Sequence, residues 1–413
     1  MERSRTAGPL GSMLLVAAFA IGAGIAGPSH CETPVAGPGT KALPRVPAWS
    51  ITGDLQVARC GGTATLLTSG KVLVVGGSNG GDCTGDTVAT LGTAELYDPV
   101  TGSWTVTGSL KQPRTNHTAT LLPSGLVLVV GGQVASPGHF QTISTAELYD
   151  PVSGSWSSTG TPTAQRVYHT ATLLQNGKVL VAGGCCAASG APASAELYDP
   201  STGTWSGTGN LVAGRFWHTA TLLRNGKVLV AGGLLYAPAT MGQIKGSAEL
   251  YDSVTGAWSA TGELNNDRAQ HTATLLPDGR VLVASGESPY DDYGGTPGTA
   301  EIYDPITARW SDTGNLGAIR NGHTATLLPG GKVLVVGGVY FSTSNRAELY
   351  DSASGSWTPS GGLTVPRFFG HTARSLQMGG SWLRRARAKT SLQSRCTSPN
   401  STMTERCLRQ TLA

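Results

Sequence analysis

His-Thr-Ala-Thr-Leu-Leu-Pro-Ser-Gly-Leu-Val-Leu-Val-Val-Gly-Gly, residues 117–132, decides the fold, because close copies begin at His169, His218, His271 and His323. A further copy begins at Gly62, which stands in the histidine's place. Each block reads as two strands around a tight turn. His-Thr-Ala-Thr-Leu-Leu is the first strand, and Pro-x-Gly or Asn-Gly supplies the hairpin turn. Val-Leu-Val-Val has no polar face and therefore suits a strand covered on both sides. Downstream stands Ala-Glu-Leu-Tyr-Asp-Pro-Val-Thr-Gly-Ser-Trp, residues 94–104, with counterparts from Ala146, Ala195, Ala248, Ala300 and Ala347. This second block is another hairpin, turning at Pro-x-x-Gly or its equivalent.

Working outward, tryptophans recur at 49, 104, 156, 205, 258, 310 and 357, a mean spacing of about 51 residues. Glycine occurs 58 times, only 13% of residues are charged, and no segment after residue 30 keeps a helical period. That is the composition of a turn-dense β protein. Four short antiparallel strands per unit form a propeller blade, with Gly-Gly ending the second strand and a Tyr and a Trp downstream. In these letters the unit resembles the kelch repeat, and the chain resembles the seven-bladed central domain of galactose-oxidase-like proteins over residues 48–373. The resemblance implies an all-β, kelch-type β-propeller.

Blade number follows from the two ends of the repeat array. Trp49-Ser-Ile-Thr-Gly-Asp-Leu is a fourth strand with no block before it, and His371-Thr-Ala opens a block with nothing recognisable after it. In kelch propellers the N-terminal strand commonly completes the last blade. The expectation is therefore a seven-bladed kelch-type β-propeller with an incomplete last blade; a six-bladed ring is the alternative if both fragments lie outside it.

Outside the array, residues 1–26 pair a basic start with an apolar run from Met13 to Ala26, which reads as a secretory signal peptide. Residues 27–47 are then a linker, and the protein is secreted, extracellular or periplasmic, with no membrane span after signal removal. The formal charge of +4 is concentrated in residues 374–413, which hold eight Arg and Lys against one acid. The rest is mildly acidic, so no nucleic-acid partner is implied. Seven cysteines lie at 31, 60, 83, 185, 186, 396 and 407 without metal-ligand spacing. Cys60 with Cys83 and Cys185 with Cys186 are the candidate disulfides, and packed thiols are the alternative for the second pair.

The tail from 374 to 413 breaks the repeat. Read from the third base of each codon, the Met378–Gly379 junction must encode Gly and the Gln377–Met378 junction Asp or Asn. The permitted letters around them include His-Thr-Ala-Thr-Leu-Leu-Pro-Asp-Gly-Arg-Val-Leu, which is the repeat in register. Loss of one nucleotide near codon 373 explains this aberrant basic tail as a frameshift product; the alternative is a genuine basic tail directed at an acidic partner.

Candidate functional residues divide into those that recur and those that vary. The histidines at 117, 169, 218, 271, 323 and 371, and the glutamates of the second block, recur with the module and are assigned packing and pairing roles. The arginines three residues ahead of each first block, including Arg114, Arg166, Arg215, Arg268 and Arg320, lie in the connection between blades. Pairing is their first reading; as a group at the channel mouth they are also candidate carboxylate or sulfate ligands. Just before the histidines the residues vary: Thr115-Asn116, Val167-Tyr168, Phe216-Trp217, Ala269-Gln270 and Asn321-Gly322. Asn116, Tyr168, Phe216, Trp217 and Gln270 mix aromatic and amide groups suited to stacking on a sugar or gripping a peptide. The loops after Gly-Gly, at 78–92, 133–144, 234–247 and 287–298, differ most and are assigned to the same rim.

Arg166-Val167-Tyr168-His169 resembles the segment that brings a Tyr and a His to copper in galactose oxidase. The other pre-histidine positions offer no second Tyr, so no cofactor, metal ligand or catalytic residue is assigned. Asp82 and Asp86 do not match a calcium loop, and no hydrolase elbow or phosphate loop is present. The expected function is a protein- or glycan-binding interaction module working at one propeller rim. The alternative is a sugar-modifying enzyme on the same fold, an isomerase or a degenerate galactose-oxidase-like oxidase.

Overall fold

A computed structural model of the chain describes residues 15–17, 52–79, 89–136, 139–185, 193–237, 240–244, 246–287, 298–340, 342–367 and 373–375. Among these, every regular element is a strand. Each repeat folds as the hydropathy pattern dictates. In the first blade Thr63–Leu66, Val72–Val75, Ala94–Asp98 and Ser103–Thr107 pair antiparallel in chain order. The sixth uses Thr324–Leu327, Val333–Val336, Ser342–Asp351 and Ser356–Arg367, the last two lengthened beyond the usual four or five residues.

The described residues thus contain six complete blades, the six-bladed alternative of the sequence reading. A seventh position nevertheless exists in the ring. The innermost strands adjoin one another from blade to blade, and the circuit closes through Ala373–Ser375, which touches both Thr324–Leu327 and Thr63–Leu66. This strand belongs to the block opened by His371, and it pairs in parallel with Leu15–Ala17. The expected closing strand at Trp49 lies outside the described residues, as do Cys83, Cys186, His371 and the tail from 376 onward.

Period-2 alternation explains the core. In Val127–Val130, Val127 and Val129 pack on Leu67, Leu73 and Val75 of the preceding blade, while Leu128 and Val130 pack on Val179 and Val181 of the next. All four residues are buried, as in each second strand. Burying such a side chain contributes roughly 1.5–3 kcal/mol, so the second strands are the main source of cohesion.

Polar latches between blades set the spacing of these faces. The Trp156 indole donates to the Gly108 carbonyl of the preceding blade at 2.7 Å, and Tyr149 meets Thr107 Oγ1 at 2.8 Å. Trp205 with Gly160 and Tyr198 with Thr159 repeat the arrangement. The histidines do likewise on the inner side: Nε2 of His117, His169, His218, His271 and His323 lies 2.9–3.0 Å from a threonine hydroxyl on the preceding innermost strand. These are the structural roles expected for residues that recur with the module.

Candidate mouth site

The connection between consecutive blades carries the arginine, two variable residues and then the histidine. Its backbone pairs with the chain just after Gly-Gly, or Ser-Gly in the fifth blade: Thr115 with Gln133, Val167 with Cys185, Phe216 with Leu234 and Ala269 with Glu287. The variable residues and the starts of the variable loops therefore share one rim, as expected.

The arginines occupy a different place from the one a ligand would need. Arg114, Arg166, Arg215, Arg268 and Arg320 are at most 3% exposed. Each guanidinium pairs with the glutamate of its own blade, at 2.9 Å for Arg114–Glu147 and 3.0 Å for Arg166–Glu196. Arg166 Nη1 also donates to the carbonyls of Gly183 and Ser194, both at 2.8 Å. Arg215, Arg268 and Arg320 repeat the pattern with Glu249, Glu301 and Glu348. The glutamate's oxygens accept in addition from backbone N–H groups of the interblade connection, as Glu196 does from Thr163 and Ala164. Burial pushes the Glu196 carboxyl up, but its bonds from Thr163 and Arg166 outweigh that and hold it below its ordinary value. The anion-binding expectation is corrected on this geometry: the charges are spent inside the blade, where an unpaired one would be expensive.

The residues immediately before the histidines behave otherwise. Asn116, Tyr168, Trp217 and Gln270 all have φ between 52° and 57°, and Gly61 and Gly322 share that conformation. The left-handed turn brings N–H groups of the column to carbonyls of the preceding blade in the same column. Asn116 donates to Gly61, Trp217 to Tyr168, Gln270 to Trp217 and Gly322 to Gln270, at 2.8–3.3 Å. The four side chains are half-buried and stand side by side around the inner mouth.

An aromatic platform results. The Tyr168 and Trp217 rings lie 5.1 Å apart, and Phe216 lies 5.1 Å from Trp217 and 6.5 Å from Tyr168. Phe216 is only 8% exposed, so it backs the platform instead of presenting a face to a ligand. Asn116 Nδ2 donates to the Tyr168 hydroxyl at 3.3 Å on one side, and Gln270 Nε2 donates to Glu287 at 2.9 Å on the other. Burial raises the Tyr168 phenol above its ordinary value, against a hydrogen bond from the side chain of Gln133, so the hydroxyl is protonated at neutral pH and can both donate and accept.

Gln133 and Glu287 are site residues that the sequence reading left out. Their signal was positional, since each is the first residue after the Gly-Gly or Ser-Gly that ends the second strand and pairs with the connection opposite. His169 of the copper-like segment is buried, with Nε2 engaged by Thr118 of the preceding innermost strand. Among the described residues no group of three His, Cys, Asp or Glu side chains is placed to hold a metal. Cys60 and Cys185, on the same rim, are both disulfide-bonded.

The comparisons agree with this architecture. The KLHDC2/KLHL20/DRC7 Kelch-repeats domain matches residues 61–286. An F-box/kelch-repeat protein of Arabidopsis thaliana is 37% identical over 112 residues, 26% of each chain, so the match spans about a quarter of that relative. A fungal alcohol oxidase of the AA5 family, solved in complex with copper, superposes with a TM-score of 0.63 at 22% identity over 80% of this chain and 71% of its own. The protein YjhT superposes with a TM-score of 0.55 at 16% identity, covering 74% of this chain and 98% of its own. At such identities these two likenesses speak to fold alone. The family match covers more than half of the chain, and the repeat, the latches and the ring all accord with it: the chain belongs to the kelch-repeat family, as a β-propeller with a galactose-oxidase-like fold.

Proposed function

We propose that this kelch propeller is an exported interaction module that holds a protein or glycan ligand at the mouth formed by Asn116, Tyr168, Trp217 and Gln270. The observation that carries the reading is the left-handed column, which gathers two large aromatic rings and two amides from four consecutive blades onto one surface. Rigid aromatics supply contact area at little entropic cost, and amides supply paired donors and acceptors, the combination found in peptide and sugar sites. Disulfide-bonded Cys60 and Cys185, together with the basic and then apolar N-terminus, support export, because disulfides persist in oxidising compartments.

The test is a binding screen of the purified protein against protein and glycan panels, followed by titration of any hit with Tyr168→Ala and Trp217→Ala variants. Loss of at least about tenfold in affinity, with the melting temperature of each variant kept, is the expected result. Full affinity in both variants would remove the mouth from consideration. Turnover of a bound sugar would move the reading to the enzyme alternative.

A further inference from the structure

Seven tryptophans lie among the described residues, and six of them use the indole N–H alike. Trp104, Trp156, Trp205, Trp258, Trp310 and Trp357 each donate it to a glycine carbonyl at 2.7–2.8 Å. Trp217 stands in the left-handed column instead of on a fourth strand, and its indole N–H has no acceptor among the described residues. That nitrogen is not a buried orphan either, so it is open to solvent at the mouth.

The polar groups around it are one-sided. The column carbonyls of Gly61, Tyr168, Trp217 and Gln270 already accept N–H groups of the following blade. The Tyr168 hydroxyl accepts from Asn116, and Glu287 accepts from Gln270. A side-chain amide carries two N–H groups, so Asn116 Nδ2 and Gln270 Nε2 each keep a second one. With the Trp217 indole, three N–H donors border the Tyr168 and Trp217 rings. Such a surface calls for a ligand with an apolar ring face and carbonyl oxygens. A sugar hydroxyl brings a donor with every acceptor, and an ordinary peptide brings an N–H with every carbonyl. A proline-rich chain brings carbonyls alone, because proline has no N–H and the polyproline II helix makes no internal hydrogen bonds.

We infer that the mouth recognises a proline-rich peptide segment in the polyproline II conformation, a conclusion that rests on the interaction reading of the same surface. A prolyl ring packs on the tilted Tyr168–Trp217 pair, whose centroids are 5.1 Å apart. The Trp217 indole and the amides of Asn116 and Gln270 donate to the flanking carbonyls. A segment of this kind is ordered before it binds, which lowers the entropic cost of binding.

The probe is decaproline, titrated calorimetrically into the full-length protein beside a Gly-Ser repeat peptide of equal length. Saturable binding of decaproline, with the Gly-Ser peptide at least about tenfold weaker, is expected. Trp217→Phe keeps an aromatic ring and removes the donor, and should weaken decaproline about three- to tenfold. Gln270→Met removes another donor at similar volume and should act in the same direction, which keeps the test independent of how Trp217→Phe folds. No decaproline binding, equal binding of the two peptides, or full affinity in both variants overturns the inference. If decaproline fails while a glycan or a proline-free protein binds and is lost in Trp217→Ala, the inference falls and the wider reading of the mouth stands. If nothing that binds depends on Tyr168 or Trp217, both fall.

Discussion

Tyr168, Trp217 and Gln270 hold a left-handed backbone that costs an L-residue of order 1–2 kcal/mol. The cost is offset by hydrogen bonds that run from blade to blade around the mouth, in which the Trp217 and Gln270 N–H groups donate and the Tyr168 carbonyl accepts. Gln270→Gly removes the steric penalty and should stabilise the protein by about 1 kcal/mol, measured by denaturant unfolding. Destabilisation instead would mean that the Gln270–Glu287 bond outweighs the strain. The conformation was partly legible, since the same column reads Gly61, Asn116 and Gly322, residue types at ease with positive φ. Tyr and Trp in that column gave no such hint; the sequence grouped them at one rim, and the structure added the left-handed turn and the 5.1 Å ring contact.

At the level of the element, each blade is tied internally by its arginine and glutamate. Arg166 reaches from the connection to the Gly183 carbonyl at the end of the second strand, and to the Ser194 carbonyl and Glu196 at the start of the third. Glu196→Ala leaves a buried guanidinium without its counter-charge and should cost about 3–5 kcal/mol in denaturant unfolding. Replacing both partners, with Arg166→Met and Glu196→Leu, should cost clearly less than the single change. A double variant as unstable as the single would show that the carbonyl bonds, not the charge pair, hold the blade. The strands themselves were legible from alternation and turn residues. The burial of the arginines was not, because a charged side chain in an interblade connection looks the same in sequence whether it turns outward to a ligand or inward to a partner some thirty residues away.

For the whole molecule, His117, His169, His218 and His271 form a common acid sensitivity. Burial is the main cause that holds His169 and His218 down to about 3, with the nearby Arg166 and Arg215 acting in the same direction. His117 and His271 are lowered likewise, with burial again the chief cause. Their folded values lie below the unfolded value of about 6.5, so the unfolded chain binds more protons as pH falls. The stabilisation is therefore complete above about pH 6.5 and is lost as pH drops from there towards 3. A melting temperature that falls steadily over that window, and falls less in a His169→Gln variant, is the expected observation. A flat profile would place these imidazoles in contact with water.

The sequence by itself determined what is local and repeated: the strand order within a blade, the two-faced second strand, the turns and the module that fills the ring. These follow from side-chain period and turn chemistry over about 50 residues, and the repetition multiplies the signal. Only the tertiary structure decided which charges turn inward, which pre-histidine side chains share the mouth, and how many positions the ring has. Those are relations between residues a full repeat or more apart, and ring closure depends on every interblade angle together. Six complete blades and a seventh innermost strand satisfy that closure, whereas the pattern of any one repeat is compatible with either count.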